Sequence, residues 1–266
     1  MVIDIDGTLL IRADEISDEN KAALAELKRR GIKVSLCSGR ATGAARTVLD
    51  QLDLDGYHIF FDGALVTNPE THDNVYVKTI GPDLLKRAVD FTHENDIIFD
   101  IFTATGYFAE RESWVTDIRR DYFKVNATIA DFSRLPPGEI PIKGTLVVRS
   151  PEEKAGAQRF REHFDKELHL SLTKTPAYPD VDFINVIAPG ASKRSALDAL
   201  TRYLGISFDE VMAIGDGPND IPILSAVGLG VAMGNASQDV KASARYTTED
   251  VDHNGLAEAI RRFVLN

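Results

Sequence analysis

The chain has 266 residues, 44% hydrophobic and 27% charged, enough for one large domain or two modest ones with a real core. A net charge of −11 and a pI near 5.0 disfavour nucleic acid or an anionic membrane as main partner, since both need a basic footprint. The single cysteine, Cys37, excludes an intrachain disulfide; with no signal peptide or membrane-spanning apolar run in view, a reducing cytoplasm is the expected compartment.

Val2-Ile3 runs straight into Asp4-Ile5-Asp6-Gly7-Thr8, a strand that ends in an acidic turn; an Asx-type turn is the alternative reading. Residues 17–31 form the next predicted helix, with Ser17 as cap, Asp18 and Glu19 in the first turn, Lys28, Arg29 and Arg30 in the last, and Gly31 closing it. Residues 32–37 read as a strand, with Cys37 a small core residue rather than a nucleophile, and Ser38-Gly39-Arg40 as the turn after it. A helix at 41–51 and a third strand at 57–61, ending at Asp62-Gly63-Ala64, complete a rhythm that implies a parallel sheet covered on both faces. The middle differs: a break at Thr79-Ile80-Gly81-Pro82, a helix near 83–95, short alternating stretches at 98–110, a Pro-Pro-Gly loop at 136–138, a strand at 142–149 and a helix at 152–165. After a second break at Ala188-Pro189-Gly190-Ala191 the strand–helix rhythm resumes, with helix 192–203, strand 211–214, helix 219–226 and strand 229–232. The simplest organisation is a core built from both ends of the chain, with an α+β unit inserted between them.

The stretch Gly215-Asp216-Gly217-Pro218-Asn219-Asp220 repeats the opening logic, an apolar strand running into carboxylates with glycines for tight backbone paths. Ligands of open parallel sheets bind outside the carboxyl ends of the strands, and Asp4, Ser38 and Asp216 each fall at such an end. Asn219 and Asp220 also suit the start of a helix as cap and first-turn acid. Lys193 opens a helix behind the possible cap Ser192, a place the helix dipole does not favour for a cation, although a surface lysine needs no special reason. Together these residues offer carboxylates for a hard divalent cation, a carboxylate nucleophile, and a hydroxyl and an ammonium for a transferring phosphoryl group.

In these four motifs, taken in order, the chain resembles haloacid dehalogenase (HAD) superfamily phosphatases of the Cof type, from Asp4 to about residue 262; Gly230-Val231-Ala232-Met233-Gly234-Asn235-Ala236 adds to the likeness. The resemblance implies an α/β fold: a Rossmann-like parallel-sheet core at 1–80 and 189–266 and an inserted α+β cap at 81–188 that selects substrate. It implies Mg²⁺-dependent hydrolysis of a small phosphomonoester, a sugar phosphate as the broad expectation, through a phospho-aspartate. Asp4 would be the nucleophile and a metal ligand. Asp6 would move the proton, its backbone carbonyl binding metal. Asp216 would complete the protein ligands, with Asn219 and Asp220 in support. Ser38 and Lys193 would bind phosphoryl oxygens, with Gly39, Arg40, Asp62 and Gly63 beside them, and Thr8 would brace the first loop. Lys143 and Arg111 are candidate cap contacts, against the plain reading of solvated charges. On a regular strand, Asp4 and Asp6 at i and i+2 would face one side, and their mutual repulsion would favour a proton on Asp6.

Asp62, where many relatives have Asn, adds a charge that would disfavour some anionic substrates; Asn185 and Asp252-His253-Asn254-Gly255 also depart from the family pattern. His72, His93 and His253 form no ligand spacing. The expected partner is a small phosphorylated metabolite, with no nucleic acid and no membrane, and the chain a monomer or weak homo-oligomer. A phosphomutase, and a non-catalytic sensing module on the same scaffold, are the rival readings.

Overall fold

The structure is a computed structural model that describes residues 1–10, 15–175 and 177–265. The chain divides into two compact units: Met1–Arg40, Ala45–Tyr76 and Ser192–Asn266 form one, Ala41–Ala44 and Val77–Ala191 the other.

The first unit is built on a five-stranded parallel sheet. Its strands lie in the order Tyr246–Thr247, Leu229–Ala232, Met212–Gly215, Val2–Ile3, Ser35–Leu36. Val2 pairs with Ala213 and Ser35, Ile3 with Ile214 and Leu36, so the acidic segments leave neighbouring strands at the same edge. Side chains alternate across the pleat. Val2 and Ala213 share a cluster with Ala196, Leu197 and Leu200 of the helix Lys193–Leu204, while Ile3, Leu36 and Ile214, pointing the other way, are equally sealed from water. Both faces are therefore covered, as parallel strands require. The helix Asp18–Arg29 starts at Ser17, whose hydroxyl accepts from the Asn20 amide, and packs against Gly255–Ile260, with Asn20 Oδ1 accepting from the Ala257 amide at 3.0 Å.

The structure adds one feature to the sequence reading here. His58–Phe60 runs beside Ser35–Leu36 through a parallel bridge from Ile59 to Cys37 and the Ser38 amide on Ile59 O at 2.9 Å, and it also forms a three-stranded sheet with Leu65–Thr67 and Asn74–Val77, pairing antiparallel with the first of these. His58 is fully buried and pushed down to about 4 by that burial, so its neutral ring can accept the Leu36 amide at Nδ1.

The second unit is α+β. Its sheet runs His169–Thr175, Tyr178–Ile187, Lys143–Val148, Ile98–Phe102, Tyr107–Ala109, Thr128–Ile129. Its described pairs are antiparallel except the last, which is parallel. One face packs the helices Pro82–Glu94 and Pro151–Phe164 through Leu85, Val89, Phe160 and Phe164 onto Phe99, Leu146 and Val186. The alternate residues Val147, Val181 and Phe183 meet Val115 and Ile118 of the helix Trp114–Asp121.

Candidate active site

Asp4 follows directly on Val2–Ile3, its amide donating to Ile214 O at 3.0 Å. The pleat puts it on the side of Val2 and thus of the helix Lys193–Leu204. Ser192 caps that helix, its hydroxyl accepting from the Ser195 amide, which makes Lys193 the first helical residue. The Lys193 side chain turns inward, 1% exposed, and Nζ donates to Asp4 Oδ1 at 2.5 Å and to Asp220 Oδ1 at 2.7 Å. An ammonium this deeply buried needs such partners. Burial alone would pull Lys193 down, yet Asp4 and Asp220 together carry it well above the ordinary lysine range, so it stays charged.

Asp220 is fully buried and accepts from three donors. Oδ1 takes Lys193, and Oδ2 accepts the amides of Asp216 at 3.1 Å and Gly217 at 2.9 Å. The expected helix at 219–226 is instead a tight 3-10 turn, Pro218–Asp220, followed by the short helix Ile221–Leu224, because the Asp220 carboxylate folds back onto the loop that precedes it.

Asp216 is braced from two further segments. Thr8 Oγ1 donates to its Oδ1 at 2.9 Å, and Asn235 Nδ2 to Gly7 O at 2.9 Å and to Asp216 Oδ2 at 3.4 Å. Gly7, at φ +86°, passes so near that a Cβ would stand 2.3 Å from Asp216 Oδ2; no other residue fits there.

Carboxylate oxygens of Asp4, Asp216 and Asp220 lie within 4.8 Å of one another, the one group among the described residues that could hold a metal ion. Three carboxylates with one ammonium leave two formal negative charges, which a divalent cation with a preference for oxygen would balance. Burial, aided by Asp220 and Asp216 and opposed by Lys193, raises the Asp4 carboxyl well above its usual range; burial also lifts Asp216 to about 6. Cys37 is buried too, its thiol pushed far up by burial and neighbouring carboxylates, which leaves it inert.

The remaining expected residues are distributed less simply. Asp6 lies beyond the end of the strand, so its carboxylate does not share a side with Asp4: it is 59% exposed and held by Arg40, Nη2 at 2.7 Å and Nε at 3.0 Å. Arg40, expected at the phosphate, is thereby engaged with a carboxylate. Ser38 is buried, its Oγ accepting the Arg40 amide at 3.1 Å. Asn219 donates from Nδ2 to Asp62 Oδ1 at 3.0 Å. Gly39 lies against the Asp62 carboxylate and Gly63 against the backbone of Ser192 and Lys193. Lys143 is buried in a strand of the second unit, and Arg111 forms an exposed pair with Asp96 at 3.7 Å. His93 and His253 pair with Glu110 and Asp250. Asn235 is the site residue that sequence reasoning left unassigned; its signal was the Gly230–Ala236 stretch.

Comparison with known proteins agrees with this geometry. The family model for haloacid dehalogenase-like hydrolases matches residues 1–260. Bacillus subtilis YxeH is 31% identical over 277 aligned positions, covering 100% of this chain and 98% of its own. The 5-amino-6-(5-phospho-D-ribitylamino)uracil phosphatase YcsE of the same organism is 30% identical over 267, covering 100% and 95%. The solved structure of the HAD subclass IIB sugar phosphatase BT4131 superposes with a TM-score of 0.78 at 25% identity, covering 100% of this chain and 98% of that one. With Asp4, Lys193, Asp216 and Asp220 gathered at one edge of a parallel sheet, the chain belongs to the haloacid dehalogenase-like hydrolases.

Proposed function

We propose that this protein is a Mg²⁺-dependent phosphatase that hydrolyses a small phosphomonoester through a phospho-aspartate on Asp4. The observation that carries the reading is Lys193, buried between Asp4 and Asp220 beside Asp216. Asp4, Asp216 and Asp220, with the Asp6 carbonyl, would hold Mg²⁺, which supplies Lewis-acid neutralisation of phosphoryl oxygens. Asn219 would support that set from its loop, with its Nδ2 donating to Asp62.

The chain's own residues then divide the work. Lys193 keeps Asp4 oriented and, with the Ser38 hydroxyl, binds the phosphoryl group. Asp4 attacks phosphorus; the ester oxygen leaves and takes a proton from Asp6. Water then attacks the phospho-aspartate, gives its proton to Asp6, and releases phosphate from a regenerated Asp4. Arg40 orients Asp6 between these tasks.

A sugar or polyol phosphate is the proposed substrate class. BT4131 is a sugar phosphatase, and YcsE acts on a phosphorylated ribityl compound. Residues 81–188 are the proposed specificity domain, in a cytoplasmic enzyme. The test is phosphate release from a panel of phosphorylated metabolites with and without Mg²⁺. The proposal expects release that requires the metal and falls at least a thousandfold in Asp4→Asn (about 4 kcal/mol of barrier). Undiminished turnover in that variant would remove the covalent mechanism.

A further inference from the structure

Three successive residues after the strand His58–Phe60 hold positive φ: Phe61 at 53°, Asp62 at 54° and Gly63 at 91°. Residues with a Cβ rarely adopt that conformation unless their surroundings impose it. Here contacts on three sides do so. Phe61 N donates to Arg40 O and Asp62 N to Ser38 O, each at 3.1 Å, which ties the turn to the backbone of the Ser38 loop. Gly63 presses on the start of the Lys193 helix, where a Cβ would come within 2.1 Å of Ser192 O and 2.5 Å of Lys193 N. Asn219 Nδ2 reaches across from the Asp216–Asp220 loop to Asp62 Oδ1 at 3.0 Å. The Asn219 side chain is itself seated on its own loop, since a Cβ on Gly217 would stand 2.6 Å from Asn219 Oδ1. One turn thus touches all the segments that carry Ser38, Lys193 and Asp216.

A carboxylate beside a loop that binds phosphate works against an anionic substrate, so its placement calls for a compensating role. Gly39 marks how closely that carboxylate is built in: a Cβ there would stand 2.8 Å from Asp62 Oδ1. We propose that Asp62 is a positioning residue, whose carboxylate is the strut that holds Asn219, and with it the Asp216–Asp220 loop, in register with the Ser38 loop. Asn219 in this account acts as the other end of the strut and contacts no metal.

The kinetic arm of the test rests on the phosphatase reading; the binding arm does not. Asp62→Ala, Asn219→Ala, the double variant and Asp62→Asn are compared for kcat and KM on an aryl phosphate. Each is also compared for the Mg²⁺-dependent rise in Tm with no substrate present. A hydrogen bond of this kind predicts a three- to tenfold loss in kcat/KM and a weaker Mg²⁺ response in each alanine variant. The double variant should lose no more than either single, and Asp62→Asn, which keeps an acceptor oxygen for Asn219, should restore most of both. Additive losses, or an Asp62→Asn variant as impaired as Asp62→Ala, would overturn the strut, as would alanine variants indistinguishable from wild type. If the wild type releases no phosphate from any ester, the phosphatase reading fails alone, and the same pattern in the Mg²⁺ response still decides the strut.

Discussion

Lys193 is the residue on which the site's electrostatics turn. It is the common partner of two buried carboxylates. Removing one member of a buried ionic group strands the others, at a cost of about 3–5 kcal/mol. Lys193→Met should therefore lower the denaturation midpoint by that equivalent in urea and abolish turnover. Mg²⁺ should recover part of the stability and none of the activity. An unchanged midpoint would mean that the pairing is not a significant part of the fold. Asp4, Asp216 and Asp220 stood out in the sequence because each lies in a glycine-bearing motif, whereas Lys193 looked locally like a surface lysine and stood out through the family resemblance. Where Asp6 points was not legible there. Strand alternation says nothing once the strand stops at Ile3, and the Arg40 guanidinium then decides the orientation. The destination of Asn219 was equally hidden, since its partner lies 157 residues away in the chain.

At the scale of elements, the sequence revealed helices better than sheets. The cap Ser17 with its first-turn acids marked Asp18–Arg29, and the cap Ser192 marked Lys193–Leu204, each within a residue or two, because a helix end is a local matter. Strand partners are not local. His58–Phe60 keeps a parallel neighbour at Cys37 but also joins a second sheet, while Leu65–Thr67 and Asn74–Val77 passed unnoticed because they are short and weakly patterned. The helix Trp114–Asp121 was also missed, although Ser113 and Thr116 form a capping box. In the second unit, Phe160 joins helix to sheet, fully buried with rings of Phe91 at 5.5 Å and Phe164 at 4.5 Å. Phe160→Ala should cost about 3–5 kcal/mol through the cavity it leaves. Limited proteolysis should then cut first within residues 77–191; faster cleavage elsewhere would show that this cluster does not govern the unit's stability.

Across the whole molecule, the net charge of −11 makes the neutralising roles of Lys193 and a divalent cation more important. Burial of Asp216 sets a pH dependence. With Asp216 raised from 3.8 to about 6, the folded state binds a proton between those values that the unfolded state does not. The stabilisation this proton brings is complete below pH 4 and is lost as the pH rises through 6. Above that, the ionised carboxylate is a burden that a bound cation relieves. The rise in Tm on adding Mg²⁺ should accordingly be largest above pH 7 and shrink below pH 6, where the proton competes; a pH-independent response would remove Asp216 from the metal site. The most direct test of the central claim is mass spectrometry of enzyme quenched in acid during turnover of a phosphomonoester with Mg²⁺. The account predicts a phosphoryl group on the peptide that carries Asp4, absent in Asp4→Asn. Steady phosphate release with that peptide never modified would contradict it.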